Sequence, residues 1–170
     1  MERLNLTGGE AEAWRLLADG EMPEAGERVV VPLDRFKADA DVLFQQTPAV
    51  GVRLTSAQRP EDITDALDRV TLIELQFLAF KDGRPFTLAR RLRDQLGYAG
   101  EIRAVGDFLP DQALFLCRCG FDSVEVSTRV AADAVRNAIC QFSVWYQPAS
   151  DQRLNAMQLR HPLAGRRQAS

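Results

Sequence analysis

The densest group of chemistry-bearing residues in the chain is Lys81-Asp82-Gly83-Arg84-Pro85-Phe86-Thr87. Its Asp offers a carboxylate for acid or base work, its Gly lets backbone approach a ligand, and its Arg presents a forked pair of donors. An apolar stripe of helical spacing follows at once, formed by Leu88, Ala89, Leu92 and Leu96. The group therefore opens a helix, where free N–H groups and a partial positive charge suit an anion. In this reading Asp82 is the acid or base, and Gly83, Arg84 and Thr87 hold the ligand. A plain Asp-Gly turn with Thr87 as helix cap is the structural alternative.

A second group, Gly100-Glu101-Ile102-Arg103-Ala104-Val105-Gly106-Asp107, carries a strand up to a Gly-Asp turn. Asp107 can serve there as a base or ligand, or cap the helix that follows. Gly106 and Arg103 complete the candidate ligand set. An Arg buried on a central strand needs a carboxylate, for which Glu74, Asp82, Glu101 and Asp107 are candidates. Asp111 and Gln112 fit the first turn of the next helix, and Arg90 stands four residues before Asp94, as in a solvated helical pair.

Counting removes several chemistries. The single histidine, His161, falls in a polar tail, which leaves no base for a Ser or Cys nucleophile. Cys117 and Cys119 are two apart on an expected helix, so their side chains diverge and cannot chelate one ion. Cys140 reads as a core residue, and three reduced thiols are expected. Neither G-x-G-x-x-G after a strand nor G-x-x-x-x-G-K-[ST] occurs, so no metal and no cofactor is expected. A net charge of -3 argues against nucleic acid, and Lys37 and Lys81 are the only lysines among 21 basic residues. Trp14, Tyr98, Trp145 and Tyr146 form no evident stacking platform. The run Phe142-Ser143-Val144-Trp145-Tyr146 reads as core or as a subunit contact in a homodimer.

The elements that must position these residues alternate. Apolar runs at Val29–Val31, Val50–Leu54, Leu72–Leu75, Ile102–Val105 and Val124–Val126 are separated by helical segments near 34–46, 60–69, 85–96 and 108–119, with a further helix near 129–143. This pattern predicts an α/β domain with a five-stranded, mainly parallel sheet and helices on both faces, flavodoxin-like, or else a partial (β/α) barrel. Asp34 is expected to cap a helix, Pro60 to open one, and Gly97 and Gly120 to close two in left-handed conformations. Ala11–Ala18 suggests an N-terminal helix. Residues 1–148 read as one domain and 149–170 as a polar tail that frays. No apolar run approaches a membrane span, and the opening residues lack a secretory pattern, so a cytoplasmic protein is expected.

The stretches Phe80–Arg93, Gly100–Gln112 and Arg118-Cys119-Gly120-Phe121-Asp122 resemble the family numbered 934 among the bacterial domains of unknown function, and Tyr146-Gln147-Pro148 resembles its usual ending. Pro85 and Thr87 stand where that pattern often has a small residue and a Ser. The resemblance implies a place beside assimilatory sulfite reductase. Two functions follow: an accessory protein that binds a reductase subunit or delivers a small anion to it, or a small enzyme acting on an anionic metabolite through Asp82 or Asp107 with Arg84 as the clamp.

Overall fold

A computed structural model of the chain describes residues 2–7, 11–126, 129–151 and 153–160. Along it run β1 (Glu2–Asn5), β2 (Arg15–Leu16), β3 (Val29–Pro32), α1 (Leu33–Gln46), β4 (Val50–Thr55), a 3-10 helix (Pro60–Ala66), β5 (Leu72–Phe77), α2 (Arg84–Arg90), a π turn (Arg91–Gln95) and β6 (Glu101–Gly106). A short 3-10 turn (Pro110–Gln112), α3 (Ala113–Arg118), β7 (Ser123–Val126), α4 (Arg129–Ile139) and α5 (Ala156–Arg160) complete it. Of the expected tail, 149–170, residue 152 and residues 161–170, His161 among them, lie outside the described residues.

All five expected strands form, and they join a sheet of seven with order β1-β7-β6-β5-β4-β3-β2. From β2 to β7 the strands are parallel and follow the chain in sequence, while β1 closes the far edge antiparallel to β7. A flavodoxin-like sheet must reverse its order at a switch point. This one never reverses, and right-handed crossovers that all advance the same way place their helices on the same face. Leu33 and Phe36 of α1, Leu88 and Ala89 of α2, Leu116 of α3 and Val135 of α4 accordingly join one core with Val31, Val52, Ile73, Ile102 and Val124. The result is a curled half-barrel, helices outside, rather than a five-stranded sheet covered on both faces.

The two extra strands explain a second correction. Because β1 and β2 sit at opposite edges, the chain between them must cross the whole concave face, so Ala11–Ala18 runs extended instead of forming a helix. The Ala11 amide donates to the Arg3 carbonyl (3.1 Å), Arg103 Nη2 donates to the Glu12 carbonyl (2.9 Å), and Trp14 packs on Val30 and Leu72 before β2 pairs with β3. This strap covers a row of charge. In register across β4, β5, β6 and β7 stand Arg53, Glu74, Arg103 and Ser123. Arg53 Nη2 lies 2.6 Å from Glu74 Oε2, and Arg103, with a side-chain exposure of 0%, pairs with Glu101 at 2.8 Å and Ser123 Oγ at 3.0 Å.

Boundary chemistry agrees in part. Pro60 opens its helix, and Gly97 and Gly120 adopt φ of 65° and 94°. At Gly120 a Cβ would also stand 2.7 Å from Arg93 Cγ. Asp34 falls inside the first turn of α1, after Pro32 and Leu33, and makes no cap hydrogen bond. Cys140 is exposed at the end of α4 rather than in the core, whereas Cys117 and Cys119 are buried. The helix expected to reach 143 stops at Ile139, and Phe142, Val144 and Tyr146 face outward.

Removing Glu101 leaves the Arg103 guanidinium buried without its carboxylate, and breaking a buried ion pair costs about 3–5 kcal/mol. Glu101→Ala is expected to lower the free energy of urea unfolding by about 3 kcal/mol, the low end because the Glu101 side chain is 23% exposed. A loss below about 1 kcal/mol would show that the strap and sheet do not depend on this pair.

Candidate functional site at the carboxyl ends of β5 and β6

β5 ends at Phe77 and β6 at Gly106, side by side and parallel. Gly106 has a φ of 94°, and a Cβ there would lie 2.4 Å from the Phe77 carbonyl oxygen, so only glycine lets the two strand ends meet this closely. The Asp107 amide donates to that same carbonyl at 2.9 Å. Beyond it the two loops are laced together around Phe80. The Phe80 amide donates to Asp107 Oδ2 at 3.3 Å, Gln112 Nε2 donates to the Phe80 carbonyl at 3.1 Å, and Gln112 Oε1 accepts the Leu109 amide at 2.9 Å. Asp107 and Gln112 are thus cross-loop ties, and the helix after Asp107 begins only at Pro110.

The Asp82 carboxylate is gripped on both oxygens. Arg84 Nε donates to Oδ1 at 2.8 Å and Nη2 to Oδ2 at 2.9 Å, while the Arg84 amide donates to Oδ1 at 3.1 Å. The Arg84 bonds hold Asp82 well below the usual carboxylate range. A carboxylate so stabilised is a weak base at neutral pH. The fork of Arg84 expected to clamp an anion closes on its own neighbour, although its side chain remains 63% exposed. Gly83 is exposed at the helix entry with open space around it. Thr87 lies inside α2 rather than at its cap, with an exposed side chain.

Asp82, Gly83, Arg84, Gly106 and Asp107 are therefore brought to one corner, and Thr87 stands one turn into the helix behind it. Arg103 is not. It lies mid-strand on the concave face, closed over by the strap. Among its four candidate carboxylates the structure pairs it with Glu101.

What residue-by-residue reasoning passed over is apolar. Leu78 (59% exposed), Phe80 (48%), Leu109 (40%) and Phe115 (55%) stand out from the same two loops and from α3, Phe115 against Phe86 with ring centroids 4.8 Å apart. Leu78 and Phe80 continue the apolar run of β5, so only the end of the strand could have marked them as surface residues. Among the described residues no cluster of three His, Cys, Asp or Glu is placed to hold a metal ion.

At the opposite ends of the strands the polar groups serve the scaffold. Arg93, turned by the π segment, donates to the carbonyls of Tyr98 (2.6 Å), Gly100 (2.8 Å) and Gly120 (3.0 Å) and pairs with Asp122, whose Oδ2 accepts the Ile102 amide at 2.7 Å. Arg118 grips Asp151 at 2.7 and 2.9 Å and lies 5.0 Å from the Trp145 ring, fastening the segment after α4. Arg90 and Asp94 form the expected pair, at 3.6 Å.

No curated protein and no solved structure matches the chain. Two outcomes check this geometry. Burial pushes Cys117 and Cys119 up to about 11, so a thiol reagent at neutral pH should label Cys140 alone in the native protein and all three on unfolding. On acidification the Asp82 carboxyl signal in NMR should stay unchanged through 3.8, its ordinary value. The stability that the Asp82–Arg84 pair contributes is present above that value and lost only as pH falls further; Arg84→Ala should restore titration near it. Residues 51–157 match the bacterial protein family of unknown function DUF934, and the chain belongs to that family.

Proposed function

We propose that this protein is a non-catalytic accessory protein of assimilatory sulfite reduction that docks on a reductase subunit through the corner at the carboxyl ends of β5 and β6. The observation that carries this reading is the pairing of satisfied polar groups with unsatisfied apolar ones. Asp82 and Arg84 spend their hydrogen bonds on each other and Asp107 and Gln112 theirs on tying the two loops, while Leu78, Phe80, Leu109 and Phe115 are left in water. Apolar anchors rimmed by preorganised polar groups are the anatomy of a protein-binding surface. The choice of a sulfite reductase subunit as partner rests on the family resemblance. The enzyme reading needs Asp82 or Asp107 as a proton carrier, and the grip of Arg84 on Asp82 weighs against it.

Phe80→Ala is expected to weaken capture of the reductase subunit from the native bacterium by tenfold or more, as truncation of a central aromatic anchor costs about 2 kcal/mol or above. Growth on sulfate as sole sulfur source should fall in parallel, with thermal melting unchanged. Arg84→Ala, which unties Asp82, should weaken capture by roughly tenfold, and the exposed control Asp65→Ala should not. Capture by Phe80→Ala equal to wild type would remove the docking corner. Loss of growth in Asp82→Asn with capture intact would favour the enzyme.

A further inference from the structure

The cations of this chain are almost all neutralised within it, and the exceptions gather beside the corner. Among the described residues every Lys and Arg side chain except Arg59, Lys81 and Arg160 has a carboxylate oxygen at 3.9 Å or less. Arg59 and Lys81 share one place. Arg59 follows β4 at the entry to the 3-10 helix, and Lys81 follows β5 in the loop that carries Phe80 and Asp82. β4 and β5 are parallel neighbours with Thr55 opposite Gln76, so the two loops leave the sheet side by side, from strands about 4.8 Å apart. Both cations are exposed. The carboxylates nearest to them in sequence are already taken, Glu61 by Arg91, Asp62 by Lys37 at 3.3 Å and Asp82 by Arg84 at 2.8 Å. With 24 acidic residues against 21 basic ones the chain has carboxylates to spare, yet it brings none to this pair of loops. Beyond Phe80, over β6, the exposed charges are Asp107 and Asp111. The apolar corner is therefore rimmed by opposite signs, basic over β4 and β5 and acidic over β6.

We infer, on the docking reading above, that the protein partner presents a patch of Asp and Glu carboxylates to Arg59 and Lys81, beside the apolar groups that cover Leu78 and Phe80. Sign decides the orientation. With its acidic patch over β4 and β5 the partner neutralises both free cations, whereas the reverse placement sets carboxylates against Asp107 and Asp111, and like charges in contact are disfavoured. A compact acidic patch is also a better complement than a polyanion. A nucleic acid long enough to cross the rim would meet Asp107 and Asp111 as well, on a chain whose net charge is -3. Rim charges of this kind act chiefly on the rate and direction of encounter, while the apolar anchors hold the complex once it has formed.

Association of the full chain with the purified sulfite reductase subunit, followed by surface plasmon resonance over a salt series, tests this, with thermal melting as the control for folding. Lys81→Glu and Arg59→Glu are each expected to slow association about tenfold at low salt, and the difference from wild type should close as salt screens the rim. Both side chains are exposed and unpaired, so the melts should not move. Arg160→Glu makes the same change of charge at the end of α5 and is expected to associate as wild type does. Loss of binding in Phe80→Ala with wild-type association in Lys81→Glu and Arg59→Glu would keep the docking corner and overturn the acidic partner. A wild type that does not bind the subunit, or a Phe80→Ala that binds it equally well, removes the corner and the acidic partner together. Slowing by Arg160→Glu as large as by Lys81→Glu would reduce the effect to net charge and overturn the assignment to these two loops. Retention of single-stranded nucleic acid that both reversals abolish, with reductase association unchanged, would give the cations to a polyanion and likewise overturn it.

Discussion

The buried Arg103 guanidinium ties together three parts of the molecule that lie far apart in the chain. It reaches Glu101 on its own strand, Ser123 on β7 and the Glu12 carbonyl of the strap. A buried charge needs partners for its donors, and here Nε and Nη2 find theirs on groups far apart in the chain, while Nη1 has none. The crossing of the concave face follows from this. Sequential parallel strands leave β1 and β2 at opposite edges, the connection has to span the face, and Arg103 holds it there together with the Arg3 carbonyl and the packing of Trp14.

The same topology sorts the remaining side chains. With the connecting helices on the outer face, that side carries the continuous apolar core, and the concave side can hold the row Arg53, Glu74, Arg103 and Ser123 without interrupting it. At the amino ends of β6 and β7, Arg93 and Asp122 close carbonyl and amide groups that would otherwise be buried without partners. The carboxyl ends carry the opposite balance, with polar groups self-satisfied and apolar groups outward. Residues of the motifs by which the chain resembles its family thus divide by position: Arg93, Arg103, Arg118 and Asp122 maintain the scaffold, and Phe80, Asp82, Arg84, Asp107 and Gln112 shape the corner.

That division bears on what kind of function the molecule can have. Catalysis by a carboxylate needs a group free to exchange a proton near neutral pH, and Asp82 is held ionised by Arg84. Binding needs preorganisation and a desolvation gain, and a corner laced by Asp107 and Gln112 around outward Leu78 and Phe80 supplies both. The segment after α4 is held on the rest of the fold by Arg118, and its Tyr146 lines one pocket with Phe115 of α3.

The alternation of Val-rich runs with helical stripes determined the α/β class, the five central strands and the left-handed Gly97 and Gly120, because hydrophobic period and glycine conformation act over a few residues. It also brought Asp82–Arg84 and Gly106–Asp107 to neighbouring strand ends, since parallel order alone requires that. Only the tertiary structure decided the rest. β1 and β2 are four and two residues long and are strands only because the sheet edges offer them partners. Ala11–Ala18 has helical composition, yet the distance between those edges holds it extended. Asp34 makes no cap bond because Pro32 and Leu33 enter the helix ahead of it. Cys140, apolar by its neighbours in sequence, is exposed because α4 ends one residue before it. Whether Arg84 met an external anion or Asp82, and whether Phe80 and Tyr146 were buried or outward, depended on contacts across the chain that spacing does not encode.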